Sequence, residues 1–118
     1  MHEPAIHPND LERFFVERAN AGDLEGLVAL YEPGAVIDNG TGDVASGHEE
    51  IRSLLTRFLA SRPRLTPGIQ AEPLMSGDIA LTSSRLQDGD ITAEIARRQP
   101  DGTWLWLVDR FSVVKGWT

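Results

Sequence analysis

The sequence has no cysteine among its 118 residues. This excludes disulfides, thiolate nucleophiles and Cys-ligated zinc or iron–sulfur sites, and leaves no mark of an oxidising compartment. Long basic runs are also missing, and a net charge of -7 would repel a phosphate backbone, so we expect no nucleic-acid partner. The N-terminus lacks a basic stretch followed by an apolar run, and no span approaches ~20 apolar residues. We therefore expect neither secretion nor membrane insertion, and predict a cytoplasmic location.

What is present is the composition of an ordinary globular protein. Hydrophobic residues make up 41% of the chain and charged residues 25%, and the length suits one packed core. No internal repeat, linker or low-complexity tract interrupts the sequence. We predict a flexible N-terminal arm over residues 1–8 and a single domain over residues 9–118.

Apolar residues recur at helical spacing in two segments near the N-terminus. The first helix is predicted over residues 9–22, with Glu12 among the charged residues on its outer side. A second, short helix is capped by Asp23 and stopped by Pro33-Gly34. The apolar stripes of the two helices are Leu11, Phe14, Phe15 and Ala19, then Leu24, Leu27, Val28 and Tyr31.

A third helix has the clearest amphipathic pattern. Ser46 and Glu49 have the spacing of a capping box at its start, and the helix is predicted to end near residues 61–63. Its apolar stripe is Ile51, Leu54, Leu55, Phe58 and Leu59.

Short extended runs separated by turn-forming residues take up most of the rest of the chain. Residues 35–37 form a short strand that enters a loop over residues 38–43, rich in Asp, Asn and Gly. After residue 64 the pattern predicts an antiparallel meander. Its strands cover residues 69–75, 79–87, 91–99 and 104–115. Helices first and strands afterwards indicate an α+β fold in which the helices cover one face of the sheet.

Several segments resemble one superfamily. Residues 20–31, Asn-Ala-Gly-Asp-Leu-Glu-Gly-Leu-Val-Ala-Leu-Tyr, are similar to the matching stretch of ketosteroid isomerases and the SnoaL-like group. Residues 29–36, 47–52 and 97–104 resemble the bacterial branch called YybH-like or DUF4440-like. The resemblance implies the cone-shaped, cystatin-like fold of the nuclear transport factor 2-like (NTF2-like) superfamily, with three helices on a strongly bent antiparallel sheet around a pocket. It also implies a dimer.

Asp109 is the leading catalytic candidate. It lies in a strand otherwise built to be buried, where desolvation disfavours a charged carboxylate and suits the group to acid–base chemistry near neutral pH. Alternation places it with Leu105, Leu107 and Phe111 towards the pocket, although one β-bulge would reverse that assignment. An ion pair with a neighbouring arginine at the sheet surface is an equally good interpretation. The resemblance adds that SnoaL-like cyclases and limonene-type epoxide hydrolases carry an acidic residue on their last strand.

The ketosteroid isomerase constellation is not complete in this chain. Aligned through residues 20–31, the oxyanion tyrosine of that family falls at Phe15 and its catalytic aspartate at Asn39, with Asp38 one position away. The later acidic partner falls near Glu94 and Ile95. We therefore expect no steroid isomerisation, and only the base has candidates.

Other candidates carry competing structural interpretations. Asp38 is a second candidate base, but Asx residues before glycine are common turn formers. Arg85 could hold an anionic or carbonyl group, or lie in solvent at a strand end. Tyr31 could donate into the cavity or serve the core, and Trp104, Trp106 and Trp117 could line a ligand site or pack in a dimer interface. The residues predicted to bind a ligand are Asn39, Phe15, Tyr31, Phe58, Leu107, Phe111 and Arg85.

These candidates predict a pocket for a small apolar or carbonyl-containing molecule. We expect cofactor-independent isomerase, cyclase or hydrolase chemistry with a pocket aspartate, no metal, and a homodimer formed through the sheet. The alternative is a non-catalytic ligand-binding or dimerisation domain.

Overall fold

The computed structural model describes residues 2–115, which form three helices and eight strands. The helices are α1 (Asp10–Asn20), α2 (Leu24–Val28) and α3 (Gly47–Ala60). The strands are β1 (Tyr31–Asp38), β2 (Val44–Ser46), β3 (Ile69–Gln70), β4 (Leu74–Ser76), β5 (Ile79–Thr82), β6 (Ser84–Arg85), β7 (Ala93–Arg98) and β8 (Trp104–Arg110). The predicted α+β class and the helix count are both confirmed.

Local sequence explains where the helices begin and end. Gly22 adopts a left-handed φ of 68° after α1, and the Asp23 side chain accepts a hydrogen bond from the Gly26 amide at 3.0 Å to cap α2. At α3 the Ser46 side chain makes no capping bond. The Ser46 amide instead donates to Oε1 of Glu50 at 2.8 Å, so the capping box predicted with Glu49 is wrong by one residue.

Six strands form one mixed, curved sheet in the order β2-β1-β8-β7-β5-β4, and β3 pairs separately with β6. All neighbours are antiparallel except β1 and β8, which are parallel. Pro33-Gly34 does not precede the first strand as predicted, since β1 already begins at Tyr31 and passes through that pair. The predicted runs over residues 69–75 and 79–87 are each divided into two short strands.

A β-bulge interrupts β8. Ala96 of β7 pairs with Trp106 and the preceding Ile95 pairs with Val108, so Leu107 is the extra residue. As a result Trp106 and Asp109, three positions apart, lie on the same face of the sheet.

The helices cover that face and form the core with it. Phe14, Phe15, Leu54 and Leu55 are buried as predicted, while Phe58 is partly buried against the core. None of the helices within residues 2–115 has the length and apolar character needed to cross a membrane.

The N-terminal segment packs on the domain rather than extending from it. Ala5 is buried, and its carbonyl accepts a hydrogen bond from the Trp104 amide at 2.9 Å. Arg18 donates to the carbonyl of Glu3 at 2.7 Å. The part of the predicted arm that lies within the described residues is therefore held in place beside Trp104, the first residue of β8.

Candidate functional site

A cavity of about 370 Å³ opens between α1, the segment after α3 and the inner face of β7 and β8. This lies at the lower end of the volumes typical of small-molecule sites. The segment after α3 is held beside α1 by Asn20, whose side chain accepts from the Leu65 amide at 2.8 Å and donates to the Leu65 carbonyl at 2.9 Å. The lining residues used below are Glu12, Phe15, Val16, Asn39, Phe58, Arg64, Asp88, Asp90, Glu94, Trp106, Asp109, Phe111, Ser112 and Lys115.

Aromatic side chains form one wall of the cavity. The ring centroids of Phe15, Phe58 and Phe111 lie 5.8–6.0 Å from one another, and Trp106 lies 5.9 Å from Phe15. These distances and tilted orientations are favourable for aromatic pairs. The wall offers an apolar, shape-defining surface to a flat or cyclic molecule.

Asp109 lies on the cavity wall and is 4% exposed. The Tyr31 hydroxyl donates a hydrogen bond to Asp109 Oδ2 at 2.5 Å, while Oδ1 has no hydrogen-bond partner among residues 2–115. Burial raises the pKa of Asp109 well above its ordinary value, the nearby charge of Glu94 raises it further, and the Tyr31 hydrogen bond acts in the opposite direction. Asp109 therefore keeps its proton to a higher pH than an ordinary aspartate does, and it is in contact with the cavity.

Glu94 lies directly opposite Asp109 in the register of β7 and β8. Its Oε1 accepts a hydrogen bond from the Thr82 hydroxyl at 2.7 Å, and its side chain is buried. Burial is the main reason that the pKa of Glu94 is raised, and hydrogen bonds from Thr92 and Thr82 partly offset it. Two carboxyl groups directly opposite on one sheet face repel when both are ionised. This repulsion favours the state in which one of the two keeps its proton.

Glu12 contributes a third carboxyl group from α1. It is partly buried, lines the cavity with Phe15 and Val16, and has no hydrogen-bond or ion-pair partner among the described residues. Burial and then the charge of Glu94 raise the pKa of Glu12 to about 7. Glu12 therefore changes protonation state in the neutral range.

Charged residues at the open end of the cavity are paired differently. Asp90 accepts a hydrogen bond from the Ser112 hydroxyl at 2.5 Å and lies 3.2 Å from Lys115 Nζ. The hydrogen bond from Ser112 is the largest cause that lowers the pKa of Asp90. This carboxylate is therefore ionised and tied to the chain that follows β8.

Five of the predicted site residues lie on the cavity wall: Asp109, Asn39, Phe15, Phe58 and Phe111. Asn39 also serves its own loop, since its Oδ1 accepts hydrogen bonds from the Thr41 amide and hydroxyl at 2.9 and 2.8 Å. Its side-chain oxygen is therefore engaged in a turn.

Four predicted site residues do not line the cavity. Leu107 is the extra residue of the bulge, which removes it from the face that carries Asp109. Asp38 accepts from the Gly40 amide at 2.9 Å and lies 3.6 Å from Arg110, and Arg85 is exposed in β6. Tyr31, the first residue of β1, does not line the cavity, but its hydroxyl donates a hydrogen bond to the Asp109 carboxyl group.

The tryptophans divide in a similar way. Trp106 lines the cavity and Trp104 is buried in the core away from it, while Trp117 lies outside the described residues.

Glu12 and Glu94 are not among the predicted site residues, although the resemblance to ketosteroid isomerases places the later acidic partner of that family near Glu94. Glu12 was assigned to the outer side of α1 because of its charge, yet it precedes Phe15 and Val16 by one helical turn and so shares their face. Strand alternation alone would have placed Glu94 in solvent, because its neighbours Ala93 and Ile95 are apolar, yet in the structure Glu94 is buried and Ile95 lies on the outer face. Within residues 2–115 no group of three His, Asp or Glu side chains has the arrangement of a metal site.

Solved structures with this fold are similar to the chain at low sequence identity. One is a proposed dehydratase of the NTF2-like family from Streptomyces avermitilis, with a TM-score of 0.71 and 18% identity over 86% of this chain and 90% of that one. A proposed ketosteroid isomerase from Shewanella frigidimarina has a TM-score of 0.67 and 16% identity over 86% and 90%. A proposed calcium/calmodulin-dependent protein kinase type II association domain from Thiobacillus denitrificans has a TM-score of 0.74 and 15% identity over 92% and 96%.

At these identities the structural likeness establishes the fold alone, and no curated protein matches the chain significantly. The NTF2-like, cystatin-like fold is confirmed by neighbours described in those words. A family model described as the SnoaL-like domain matches residues 11–116, nearly the whole chain. The chain therefore belongs to the SnoaL-like domain family.

Proposed function

We propose that the chain catalyses cofactor-independent acid–base chemistry on a small, largely apolar molecule, with Asp109 as the group that gives or takes the proton. The observation that carries this proposal is a carboxyl group that is 4% exposed, lies on a cavity wall and is hydrogen-bonded through only one of its oxygens. Perturbed carboxyl groups in a cleft are typical of functional sites.

The Tyr31 hydrogen bond determines which oxygen can act. Because Oδ2 accepts from the Tyr31 hydroxyl, the proton of the neutral acid belongs on Oδ1, the oxygen without a protein partner. The protonated form of such an acid can donate to a carbonyl or hydroxyl oxygen of a ligand, and its ionised form is a strong, poorly solvated base.

The aromatic wall of the cavity supports a ligand that is apolar apart from such an oxygen. The aromatic side chains of Phe15, Phe58, Phe111 and Trp106 supply area without charge. Dehydration and isomerisation, the reactions in the names of two structural neighbours, both need a proton to be delivered or removed. Because this fold serves many activities, the side chains of the cavity carry the proposal rather than the fold.

The first test is a carbon-detected NMR titration of the side-chain carboxyl groups, compared between the wild type and Asp109→Asn. We expect the resonance lost in the variant to titrate well above the ordinary aspartate range. An ordinary or lowered pKa for Asp109 would remove the catalytic assignment.

The second test screens neutral cyclic ketones and alcohols for binding by saturation-transfer NMR, and then for turnover. For a converted ligand, Asp109→Asn should preserve binding and lower turnover by about 10²–10⁴-fold. The matched control is Asp38→Asn, outside the cavity, which should leave turnover unchanged. If ligands bind but none is converted by the wild type, the alternative of a non-catalytic ligand-binding domain is correct.

A further inference from the structure

Acidic side chains outnumber basic ones on the wall of the cavity. Within the described residues its five carboxyl groups are those of Glu12, Asp88, Asp90, Glu94 and Asp109, and its two basic side chains are those of Arg64 and Lys115. Lys115 Nζ lies 3.2 Å from Asp90 Oδ2 at the open end, and Arg64 is exposed to solvent. The cavity therefore gains an excess of negative charge as its carboxyl groups ionise, and this charge attracts a cation.

Of these five carboxyl groups, Glu12 alone has no partner within residues 2–115. The other four each accept a hydrogen bond from a protein group: Asp88 from the Asp90 amide, Asp90 from Ser112, Glu94 from Thr82 and Asp109 from Tyr31. Arg13, next to Glu12 on α1, pairs with Asp10 and Glu17 instead, at 3.3 and 3.8 Å. Burying a carboxyl group without a partner costs free energy, so a group of this kind on a cavity wall is a candidate for ligand binding.

Trp106 is a second polar side chain in the cavity without a partner. It is 1% exposed and lines the cavity. Its Nε1 is buried and has no hydrogen-bond acceptor within residues 2–115. A buried donor of this kind is costly unless an acceptor is supplied, and a polar atom of a bound molecule would supply it. Glu12 and Trp106 thus indicate, independently of each other, that the ligand carries polar groups as well as an apolar body.

We propose that the cavity binds an organic amine in its protonated form, with Glu12 as the counter-ion of the ammonium group. An ammonium group has three hydrogen-bond donors and no acceptor, which suits it to a carboxylate without a partner. The aromatic wall of Phe15, Phe58 and Phe111 contacts the apolar body of the molecule, and aromatic rings also favour a nearby cation.

The inference goes beyond the proposed function, because it concerns the charge of the ligand and holds whether or not the ligand is converted. The amine is an addition to the apolar body and to the oxygen that Asp109 contacts. An anionic ligand is disfavoured, since it would meet the same excess of carboxyl groups.

Binding of an ammonium group should depend on pH through Glu12. Burial and the charge of Glu94 raise the pKa of Glu12 to about 7. An adjacent cation stabilises the ionised carboxylate, so the bound amine must lower this pKa, and by linkage the amine must bind more tightly as the pH rises. The groups that face Glu12 from other elements are Glu94 of β7, Asp109 of β8 with Tyr31 of β1 beside it, and, at the open end, Arg64, Asp88, Asp90 and Lys115.

The test compares phenylethanolamine, a cation in neutral solution, with phenylethanediol, in which a neutral hydroxyl replaces the amine. The carboxyl resonances of the wild type are titrated by NMR without ligand and with each compound at saturation. Phenylethanolamine should lower the pKa of Glu12 from about 7 towards its ordinary 4.5, and the diol should leave it unchanged. Affinity for the amine should rise by up to about tenfold per pH unit below pH 7 and then level off.

Variants locate the effect. At pH 8, Glu12→Gln should weaken binding of phenylethanolamine by roughly 10–100-fold and leave binding of the diol almost unchanged. The matched control Glu17→Gln, on the exposed side of the same helix, should bind both compounds as the wild type does.

The proposal is wrong if the wild type binds the diol as tightly as the amine at pH 8, or if bound amine leaves the pKa of Glu12 unchanged. Failure of phenylethanolamine to bind at all would likewise overturn the assignment of the cavity to amines. None of these results changes the titration of Asp109 in the free protein, so the proposed function is decided separately.

Discussion

Glu12, Glu94 and Asp109 lie in one cavity without an ion-pair partner among the described residues, and all three have raised pKa values. Each such group binds protons more tightly in the folded state than in the unfolded chain. The free energy of unfolding must therefore fall as the pH rises through the range in which the folded protein releases these protons. The three carboxyl groups of the site therefore lower the free energy of unfolding in neutral and alkaline solution.

Glu12→Gln should make the protein more stable at pH 8 and leave its stability unchanged at pH 4. The pKa of Glu12 rises from 4.5 to about 7 on folding, so the wild type loses stability between these values and the loss is complete above them. One pKa unit corresponds to about 1.4 kcal/mol, and partial exposure reduces the effect, so we expect a gain of roughly 2 kcal/mol at pH 8. Urea denaturation at pH 4, 6 and 8 measures it.

The exposed Glu17 provides the comparison for that experiment. Glu17→Gln loses only a surface ion pair with Arg13 and should change stability by less than about 0.5 kcal/mol at every pH. Equal stability of Glu12→Gln and the wild type at pH 8 would contradict the raised pKa.

The sequence could predict only some of the residues that face the cavity. For the others, helical spacing and side-chain charge indicated opposite positions. Phe15 and Phe58 follow directly from the apolar stripes of their helices. Glu12 has the same helical position relative to the cavity as Phe15, but its charge favoured a place in solvent. The prediction followed the charge of Glu12 and placed it in solvent, whereas in the structure its helical spacing places it on the cavity wall.

Elements formed by local sequence were predicted well, and those that depend on distant pairing were not. The amphipathic pattern of α3 and the turn residues around β7 lie in short stretches of chain. The parallel pairing of β1 with β8 joins residues more than seventy positions apart, and no local pattern records it. The register of this pairing is broken between Tyr31 and Val36, and Pro33-Gly34, two residues that usually end a strand, lie in that irregular stretch of β1.

The caps of α2 and α3 offer a test at the scale of the elements. Asp23→Ala removes the side-chain bond to the Gly26 amide and should lower stability by about 1 kcal/mol, or about 4 °C in Tm. Ser46→Ala removes no capping bond and should have a much smaller effect. Thermal unfolding followed by circular dichroism compares the two, and equal losses would show that the Asp23 bond does not cap α2.

At the scale of the whole molecule, the outer face of the sheet carries an unbroken apolar row. Successive register pairs across five strands join Leu74, Leu81, Ile95, Val108 and Val36. Leu74 and Leu81 are 69% and 47% exposed, and Val108 is 39% exposed. An apolar row of this length on the face that no helix covers is typical of an interface.

We expect a homodimer formed through this row, burying on the order of 1,600 Å² in total. Leu81→Lys places a charge at its centre and should shift the protein to monomers. Thr56→Lys, on the exposed side of α3, is the matched control and should leave the dimer intact. Light scattering at micromolar concentration gives the mass, and a monomeric wild type would exclude this assembly.

The extra residue in β8 also determines how relatives should be aligned with this chain. A relative whose last strand is regular would have one residue fewer between the positions of Trp106 and Asp109, while both side chains still faced the pocket. An ungapped alignment anchored at Trp106 would then match its pocket carboxyl to Val108 and count the acid as lost. A single gap placed at Leu107 restores the correspondence, so the presence of the acid across the family has to be judged with that gap in place.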